Sequence, residues 1–260
     1  MEQEDKFSGI NRRQKMIEYL EEKKEATVKE FASLFLVSEM TIRRDFHYLE
    51  DIGVVEVHYG GARLSKEKLE LPSFSKRDGE KDPNKYAIGR MAAGYIKEGD
   101  TIFLDVSSTV FHILPYLPDI HLTVITNSMP VIERLYPNQK IRLMMAPGVY
   151  DRDMAGAADF STIEYIRKFH ADKAFIGGMS CIPKFGVACS NELECAIKQQ
   201  MWRNSDESYL MVDHRKFTCS GPVFQNALSD FSYILTDSEL DEEMQLEVRR
   251  QNRNLIICNR

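Results

Sequence analysis

Ser38-Glu39-Met40-Thr41-Ile42-Arg43-Arg44-Asp45-Phe46-His47-Tyr48-Leu49 decides how the first part of the chain is read. Serine is a strong N-cap, because its hydroxyl takes an amide hydrogen that the first helical turn leaves unbonded. Val37 and Ile42 stand one residue before that cap and four after it, the spacing of a hydrophobic staple. Ile42, Phe46 and Leu49 then recur at i, i+4 and i+7 as one apolar stripe. Met40, Arg43, Arg44 and His47 fall off that stripe, so the spacing predicts a helix that shows water two arginines near its start.

The stretches on either side complete a domain. Thr27-Val28-Lys29-Glu30 has the form of a capping box and opens a helix that turns Phe31, Ala32 and Phe35 inward. A short turn at Leu36-Val37 separates it from the helix at Ser38. Further back, residues 12–22 place Met16, Ile17 and Leu20 on one helical face. Further on, the helix is expected to end before Gly53, residues 54–59 alternate like a strand, and Gly60-Gly61 reads as a two-residue hairpin turn. Helix, helix, tight turn, helix, hairpin is the outline of a winged helix-turn-helix, an α+β domain over residues 1–64.

Such a domain reads double-stranded DNA by laying its last helix in the major groove, with the first turns facing base edges. Here those turns offer Met40, Thr41, Arg43 and Arg44, and arginine suits bidentate contact with guanine or phosphate. Ser38 can cap its helix and still approach the DNA backbone. The wing offers His58 and Tyr59 and, past the turn, Arg63. Charge complicates this reading. The chain has a net charge of -6, and residues 1–65 hold ten lysines and arginines against thirteen acids. Binding must therefore rest on local clusters: Arg12, Arg13 and Lys15; Arg43 and Arg44; Arg63. Taken singly, each of these is more often a solvated surface charge than a DNA contact. Asp45 reads as a local partner that orients an arginine.

Composition bounds the rest. At 260 residues, with 43% hydrophobic and 28% charged side chains, the chain has the profile of an ordinary globular protein of one or two domains. No apolar run approaches the roughly 20 residues that span a bilayer, so no membrane partner is expected. The opening MEQEDKFSGI lacks the basic and apolar regions of a secretory signal. Five cysteines without a C-x-x-C pair argue against a disulfide framework and point to the reducing cytoplasm. The six histidines show no H-x-x-x-H spacing, so no metal site and no cofactor are expected.

Residues 65–84 are rich in charge and poor in aliphatics, the texture of a linker. Residues 85–260 then change rhythm, although Asp82-Pro83 already supplies a good cap and first-turn pair for a helix. Strand-like runs follow at 101–104, 122–126, 141–145, 173–176, 209–212, 233–235 and 255–257. Helical stretches lie between most of them, notably 190–203 and 238–250. That alternation predicts an α/β domain with a mainly parallel sheet covered on both faces, whose ligand site lies beyond the carboxyl ends of the strands.

Strand-end residues are accordingly the candidates. Asp105 can accept hydrogen bonds from ligand hydroxyls, and Ser107, Ser108 and Thr109 follow it where a helix begins, a fair cradle for phosphate. The plainer alternative is that a serine there only caps the helix. Asn127 is a second polar strand end, and capping is again its alternative. Gly177-Gly178 permits close backbone approach to a ligand, or simply a tight turn. Glu194 and Lys198 form an i,i+4 pair of the kind usually found on surfaces. Asp213 to Lys216 put a carboxylate and cations at the same sheet edge, a combination suited to a sugar phosphate. Trp202 is read as a core or interface aromatic.

The S-x-x-T-I-R-R-D core at 38–45, with Arg12, Met16, Leu20, Phe46, Leu49, Gly53 and Gly60-Gly61, resembles the signature of the DeoR family of bacterial sugar-metabolism regulators. DKAFIGG, SNELE with Lys198, and VDHRKF resemble the sensor domain of the same family, so the similarity runs through nearly all of the chain after residue 11. The resemblance implies a sensor fold shared with sugar-phosphate isomerases and CoA transferases. It also implies an effector pocket lined by Asp105, Ser107, Ser108, Thr109, Asn127, Gly178, Glu192, Lys198, Asp213 and Lys216. The chain departs from the family pattern in three places. Val57 and Tyr59 replace an arginine and a histidine of the wing, Ser107 replaces a glycine, and Pro147-Gly148 replaces a pair of glycines.

These features lead to a cytoplasmic repressor of a carbohydrate-use operon, released from its operator by a phosphorylated sugar. As a homodimer or homotetramer it would set two recognition helices on an inverted repeat. Two other readings stay open. One is an isomerase-like enzyme using Glu192, Asp213 and Lys198 as acid–base groups. The other is a DNA-binding regulator whose pocket has lost its ligand, suggested by Ser107 and Pro147.

Overall fold

The computed structural model describes residues 9–51, 55–64, 82–219 and 221–260, in two compact units divided between Leu71 and Pro72. The first contains α1 (Gly9–Lys23), β1 (Glu25–Thr27), α2 (Val28–Phe35), α3 (Glu39–Asp51), β2 (Val55–His58) and β3 (Gly61–Leu64). Thr27 caps α2 as its sequence predicts: Glu30 N–H donates to its hydroxyl at 3.2 Å, and its own amide donates to the Glu30 carboxylate at 2.6 Å. Leu36 ends the helix in the left-handed region at φ 54°, which makes the tight turn before α3. Val37 and Ile42 both pack into the core, as a staple requires. Phe31 sits at the centre, 5.7 Å from the Phe46 ring and 5.6 Å from Phe35, with Met16, Leu20, Ile42 and Leu49 buried around it.

The wing differs in detail from expectation. Its turn is Tyr59-Gly60, with Gly60 at φ +89°, while Gly61 is the first residue of β3. The reason is β1, a third strand that gives the antiparallel order β1-β3-β2 and pairs Thr27 with Gly61. A Cβ at Gly61 would lie 2.5 Å from the carbonyl oxygen of Ala26, so the close approach of β1 demands glycine there. The predicted helix end at Gly53 lies outside the described residues, as does 65–81 of the predicted linker.

The second unit begins where Asp82 caps α4 (Pro83–Ala93), inside the stretch read as linker. It continues with β4 (Thr101–Leu104), α5 (Ser108–Phe111), β5 (Leu122–Thr126), α6 (Met129–Leu135), β6 (Ile141–Met145), β7 (Tyr150–Asp151), β8 (Gly156–Ala157), α7 (Phe160–Ile166) and β9 (Ala171–Ile176). The remainder is β10 (Ser180–Ile182), β11 (Gly186–Cys189), α8 (Glu192–Arg203), β12 (Ser205–Met211), β13 (Val223–Asn226), β14 (Tyr233–Asp237), α9 (Glu242–Gln251) and β15 (Leu255–Cys258). All seven strand-like runs of the sequence enter one parallel sheet, in the order β15-β14-β12-β9-β4-β5-β6. Successive residues alternate between two cores. Ile102, Leu104, Phe175, Tyr209 and Met211 pack on one face with α4 and α6, while Phe103, Ala174, Ile176 and Leu210 pack on the other with α7, α8 and α9. Burial on both faces is what gives these strands their nearly continuous apolar runs.

The order reverses between β4 and β9: β5 and β6 build outward on one side, β12, β14 and β15 on the other. Chain connections leave in opposite directions at that point, and in open α/β sheets the ligand site lies there, beyond the carboxyl ends of the strands. A small antiparallel sheet, β10-β11-β13, was not expected from the sequence. Among the described residues no helix is long and apolar enough to cross a membrane.

Candidate functional site

On α3 the apolar stripe faces inward and Glu39, Met40, Arg43, Arg44 and His47 form one exposed face. Ser38 Oγ accepts the Thr41 amide at 3.2 Å and lies 2.9 Å from the Thr41 hydroxyl, so it caps α3 while remaining exposed. Met40 is 67% exposed, and Arg43 rests loosely on Glu39 at 3.7 Å. Arg44 has no ion pair among the described residues. Asp45 points the other way. It is buried and accepts Arg12 Nε at 2.6 Å, with Arg13 Nε at 3.6 Å. Arg13 also lies 3.8 Å from the centre of the Tyr48 ring. The expected cluster of Arg12, Arg13 and Lys15 is thereby corrected: Arg12 and Arg13 are turned onto α3 and join two helices. In the wing, His58 and Tyr59 are exposed at the tip. Arg63 reaches across the hairpin to its strand partner Glu56 at 2.6 Å and is engaged there.

In the second unit the predicted residues form a row. Asp213, Gly177-Gly178, Asp105 and Asn127 follow the four adjacent strands β12, β9, β4 and β5. Neighbouring strands stand about 4.8 Å apart, so the row spans roughly 15 Å across the switch point. Asp105, 1% exposed, ties that point together: Oδ1 accepts the Ser107 amide at 2.8 Å and Oδ2 the Gly177 amide at 2.9 Å. Lys198 Nζ lies 3.3 Å from Asp105, 2.8 Å from Glu194 and 3.1 Å from the Gly177 carbonyl. The i,i+4 pair read as surface decoration is thus buried. The expectation for Asp105 is corrected too, since both its oxygens already hold protein groups.

The electrostatics of this cluster are those of a closed salt bridge. Burial alone would push Glu194 up, but Lys198 and two hydrogen bonds from Ser190 hold it down at about 2. Burial would push Lys198 down, and Glu194 with Asp105 outweigh it and raise the amine. Glu194, not Glu192, is the inward carboxylate. The buried face of α8 carries Glu194, Cys195, Ile197, Lys198 and Met201, and leaves Glu192 exposed on the first turn.

Ser107 stands at the cap of α5 without a side-chain cap bond, at φ −72°, a backbone any residue adopts. Its hydroxyl rests on Gly177, where a Cβ would come within 2.1 Å. Gly177 thus makes room for the serine that replaces the family glycine. Gly178 packs against Val187, 2.6 Å from a Cβ built there, so a close protein contact explains it. Ser108 accepts a hydrogen bond at 3.1 Å from Lys85, a buried amine the sequence reading did not single out. Thr109 is buried beside it. Asn127 donates to the Ala157 carbonyl at 2.8 Å, and its own buried Oδ1 has no partner. Asp213 accepts Arg215 Nε at 2.8 Å and leaves buried Oδ2 without a hydrogen bond. Lys216 follows two residues later.

His214, Asp237 and Glu239 bring three potential metal donors within 4.8 Å of one another, a grouping that scattered sequence positions conceal. It is already internally satisfied. His214 Nδ1 lies 2.9 Å from Asp237, whose oxygens also accept the His214 and Glu239 amides, and Arg260 pairs with Glu239.

A winged helix-turn-helix with an arginine-bearing exposed face, followed by a parallel α/β unit with a polar row at its switch point, defines a DNA-binding transcriptional regulator with a sensor domain. Residues 12–68 match the DeoR-like helix-turn-helix domain and residues 80–238 the DeoR C terminal sensor domain. The chain belongs to the DeoR family. The uncharacterized HTH-type transcriptional regulator YulB of Bacillus subtilis is 33% identical over 88% of this chain and 89% of its own. The glycerol-3-phosphate regulon repressor of Haemophilus influenzae is 27% identical over 95% of this chain and 96% of its own. A solved ribose 5-phosphate isomerase A from Methanocaldococcus jannaschii aligns with 51% of this chain and 52% of its own, at 16% identity and a TM-score of 0.38. That likeness is too slight to bear on chemistry.

Proposed function

We propose that this regulator is a cytoplasmic repressor of a carbohydrate-use operon, that a phosphorylated sugar in the second unit releases it from its operator, and that it is not an enzyme. The observation that carries the DNA reading is the division of charge on α3: Arg43 and Arg44 lie on the exposed face while Asp45 is turned inward and neutralised by Arg12. A net acidic domain thereby presents two exposed arginines near the start of α3, which can hold specific DNA with a few placed contacts. Ser38, Met40 and Thr41 flank those arginines, and His58 and Tyr59 supply the wing. A homodimer or homotetramer presents two such helices to an inverted repeat.

For the effector, the row from Asn127 to Asp213 at the switch point combines hydroxyls, cations and carboxylates, the groups a sugar phosphate needs. The name of the Haemophilus relative, a repressor of a glycerol-3-phosphate regulon, supports both the sign and the ligand class. The isomerase reading asks for an acid and a base poised near neutral pH. Of its groups, Asp213 is lowered by Arg215 and Lys216 against the effect of burial and Lys198 is raised, so both are driven away from that range, while Glu192 stays exposed on the first turn of α8. A ligand that binds the DNA-incompetent conformer better is sufficient to release the operator.

The test is titration of DNA from the regulator's own upstream region in a gel-shift assay. Arg43→Ala should weaken specific binding by about 10- to 100-fold, the value of a bidentate base contact, with the circular dichroism spectrum unchanged. Unaltered affinity would remove Arg43 from the reading surface. A panel of aldose and ketose phosphates should raise the melting temperature and weaken the DNA complex, and turnover of any of them would favour the enzyme.

A further inference from the structure

Cys189 ends β11 and Cys195 lies on the inward face of α8, and the two thiols stand within hydrogen-bonding reach of each other. Cys189 Sγ also donates to Gln225 Oε1 at 3.0 Å, and Cys195 Sγ donates to the Phe224 carbonyl at 3.1 Å, so neighbouring residues of β13 hold both sulfurs. Gln225 is 1% exposed, and its Nε2 finds no acceptor among the described residues. A buried amide nitrogen with nothing to donate to calls for an explanation, and an oxygen carried on the neighbouring sulfur is one it suits. The two cysteines are unequal. Their mutual contact and burial raise Cys189, while the same contact, with Lys198 and Arg203, lowers Cys195 against burial and Glu194. Cys195 also keeps 5% exposure where Cys189 has none. Burial pushes up the thiols of Cys181 and Cys258, which marks them as inert.

We propose that Cys189 and Cys195 are a redox-active pair that a peroxide closes into a disulfide, a modification site of the second unit that is independent of the effector. Cys195 attacks first. Its sulfur takes one oxygen of the peroxide, the O–O bond breaks, and the other oxygen leaves as water with the Cys195 proton, so Cys195 becomes a sulfenic acid. The idle N–H of Gln225, on the amide that already meets Cys189, is the donor for that oxygen. Cys189 then attacks the Cys195 sulfur. The S–S bond forms, the S–O bond breaks, and hydroxide leaves as water with the Cys189 proton. Two thiols and one hydrogen peroxide thus give one disulfide and two waters. The bond ties the end of β11 to α8 between Glu194 and Lys198, the pair that reaches Asp105.

Hydrogen peroxide is the oxidant, added to the folded full chain. Remaining thiols are then blocked with N-ethylmaleimide under unfolding conditions and mapped by mass spectrometry. One disulfide should join the peptides of Cys189 and Cys195 with the loss of two hydrogens, and dithiothreitol should restore both thiols. Cys181 and Cys258 should be recovered as blocked thiols. Cys219, the one cysteine that is not buried, is the competing target, and Cys219→Ser should form the same disulfide. Cys189→Ser should stop at a sulfenic acid on Cys195 that dimedone traps, and Cys195→Ser should leave Cys189 a thiol. Should either variant not fold, the disulfide map of the unaltered chain decides instead. Oxidation confined to Cys219, with Cys189 and Cys195 both recovered as blocked thiols, overturns the proposal. So does over-oxidation of Cys195 without a disulfide to Cys189.

Discussion

Replacing Lys198 by methionine removes the only cation paired with Asp105 and Glu194 among the described residues and keeps a side chain of similar length. Both carboxylates stay buried, held by backbone amides and Ser190, with no charge to balance them. Removing one partner of a buried pair typically costs about 3 to 5 kcal/mol, because the survivor keeps its desolvation penalty. The Glu194 contribution gives an independent figure. A carboxyl lowered from 4.5 to about 2 adds about 3 kcal/mol at neutral pH, at about 1.4 kcal/mol for each tenfold change in proton affinity. The two figures agree, and for a unit of this size they correspond to roughly 6 to 20 °C in melting temperature.

The pH dependence has a definite sign. Because Glu194 is lowered in the folded state, its contribution is complete above 4.5 and is lost as pH falls through about 2. The difference between Lys198→Met and the unaltered chain should therefore be widest near neutral pH and narrow in acid. Urea unfolding of both proteins from pH 7 down to pH 3 measures it. A loss below about 1 kcal/mol at pH 7, or one that does not shrink in acid, would refute the closed-salt-bridge account.

Two further outcomes follow from local geometry. Gly177→Ala places a methyl 2.1 Å from Ser107 Oγ and should cost about 1 to 3 kcal/mol in urea unfolding, with most of the loss recovered when Ser107→Gly is added. Asp45→Ala removes the buried carboxylate that accepts Arg12 Nε and should lower the unfolding midpoint of the first unit, with operator affinity at low temperature falling far less than in Arg43→Ala.

Much of this was legible because apolar periodicity is a strong signal. Every strand of the parallel sheet contains a short aliphatic or aromatic run, and Ile42, Phe46 and Leu49 mark α3 without ambiguity. Thr27 with Glu30 and Asp82 with Pro83 declared their helix starts through capping chemistry. What stayed hidden depends on partners distant in sequence. β1 is three residues, Glu-Ala-Thr, with only Ala26 buried, and becomes a strand because β3 lies beside it. Lys85 ends a charged, serine-rich stretch, so nothing nearby signals that its amine turns inward onto Ser108. Glu192 and Glu194 are alike in composition, and only the phase of α8 against the sheet decides which one is buried. Arg12 looks like any basic residue near a recognition helix until Asp45 is seen to face it.

The reversal of strand order has a mechanical consequence. Residues 82–145 form one wall of the switch point and carry Lys85, Asp105, Ser108 and Asn127, and residues 171–258 form the other and carry Gly177, Lys198, Asp213 and Lys216. The two walls join where β4 meets β9, through Ile102 beside Lys173, Phe103 beside Ala174 and Leu104 beside Phe175. A small molecule bound across that switch point would grip both walls at once, like a rivet through two plates. It would stiffen the hinge line between them, and the amides of β4 and β9 would be the first to feel its arrival.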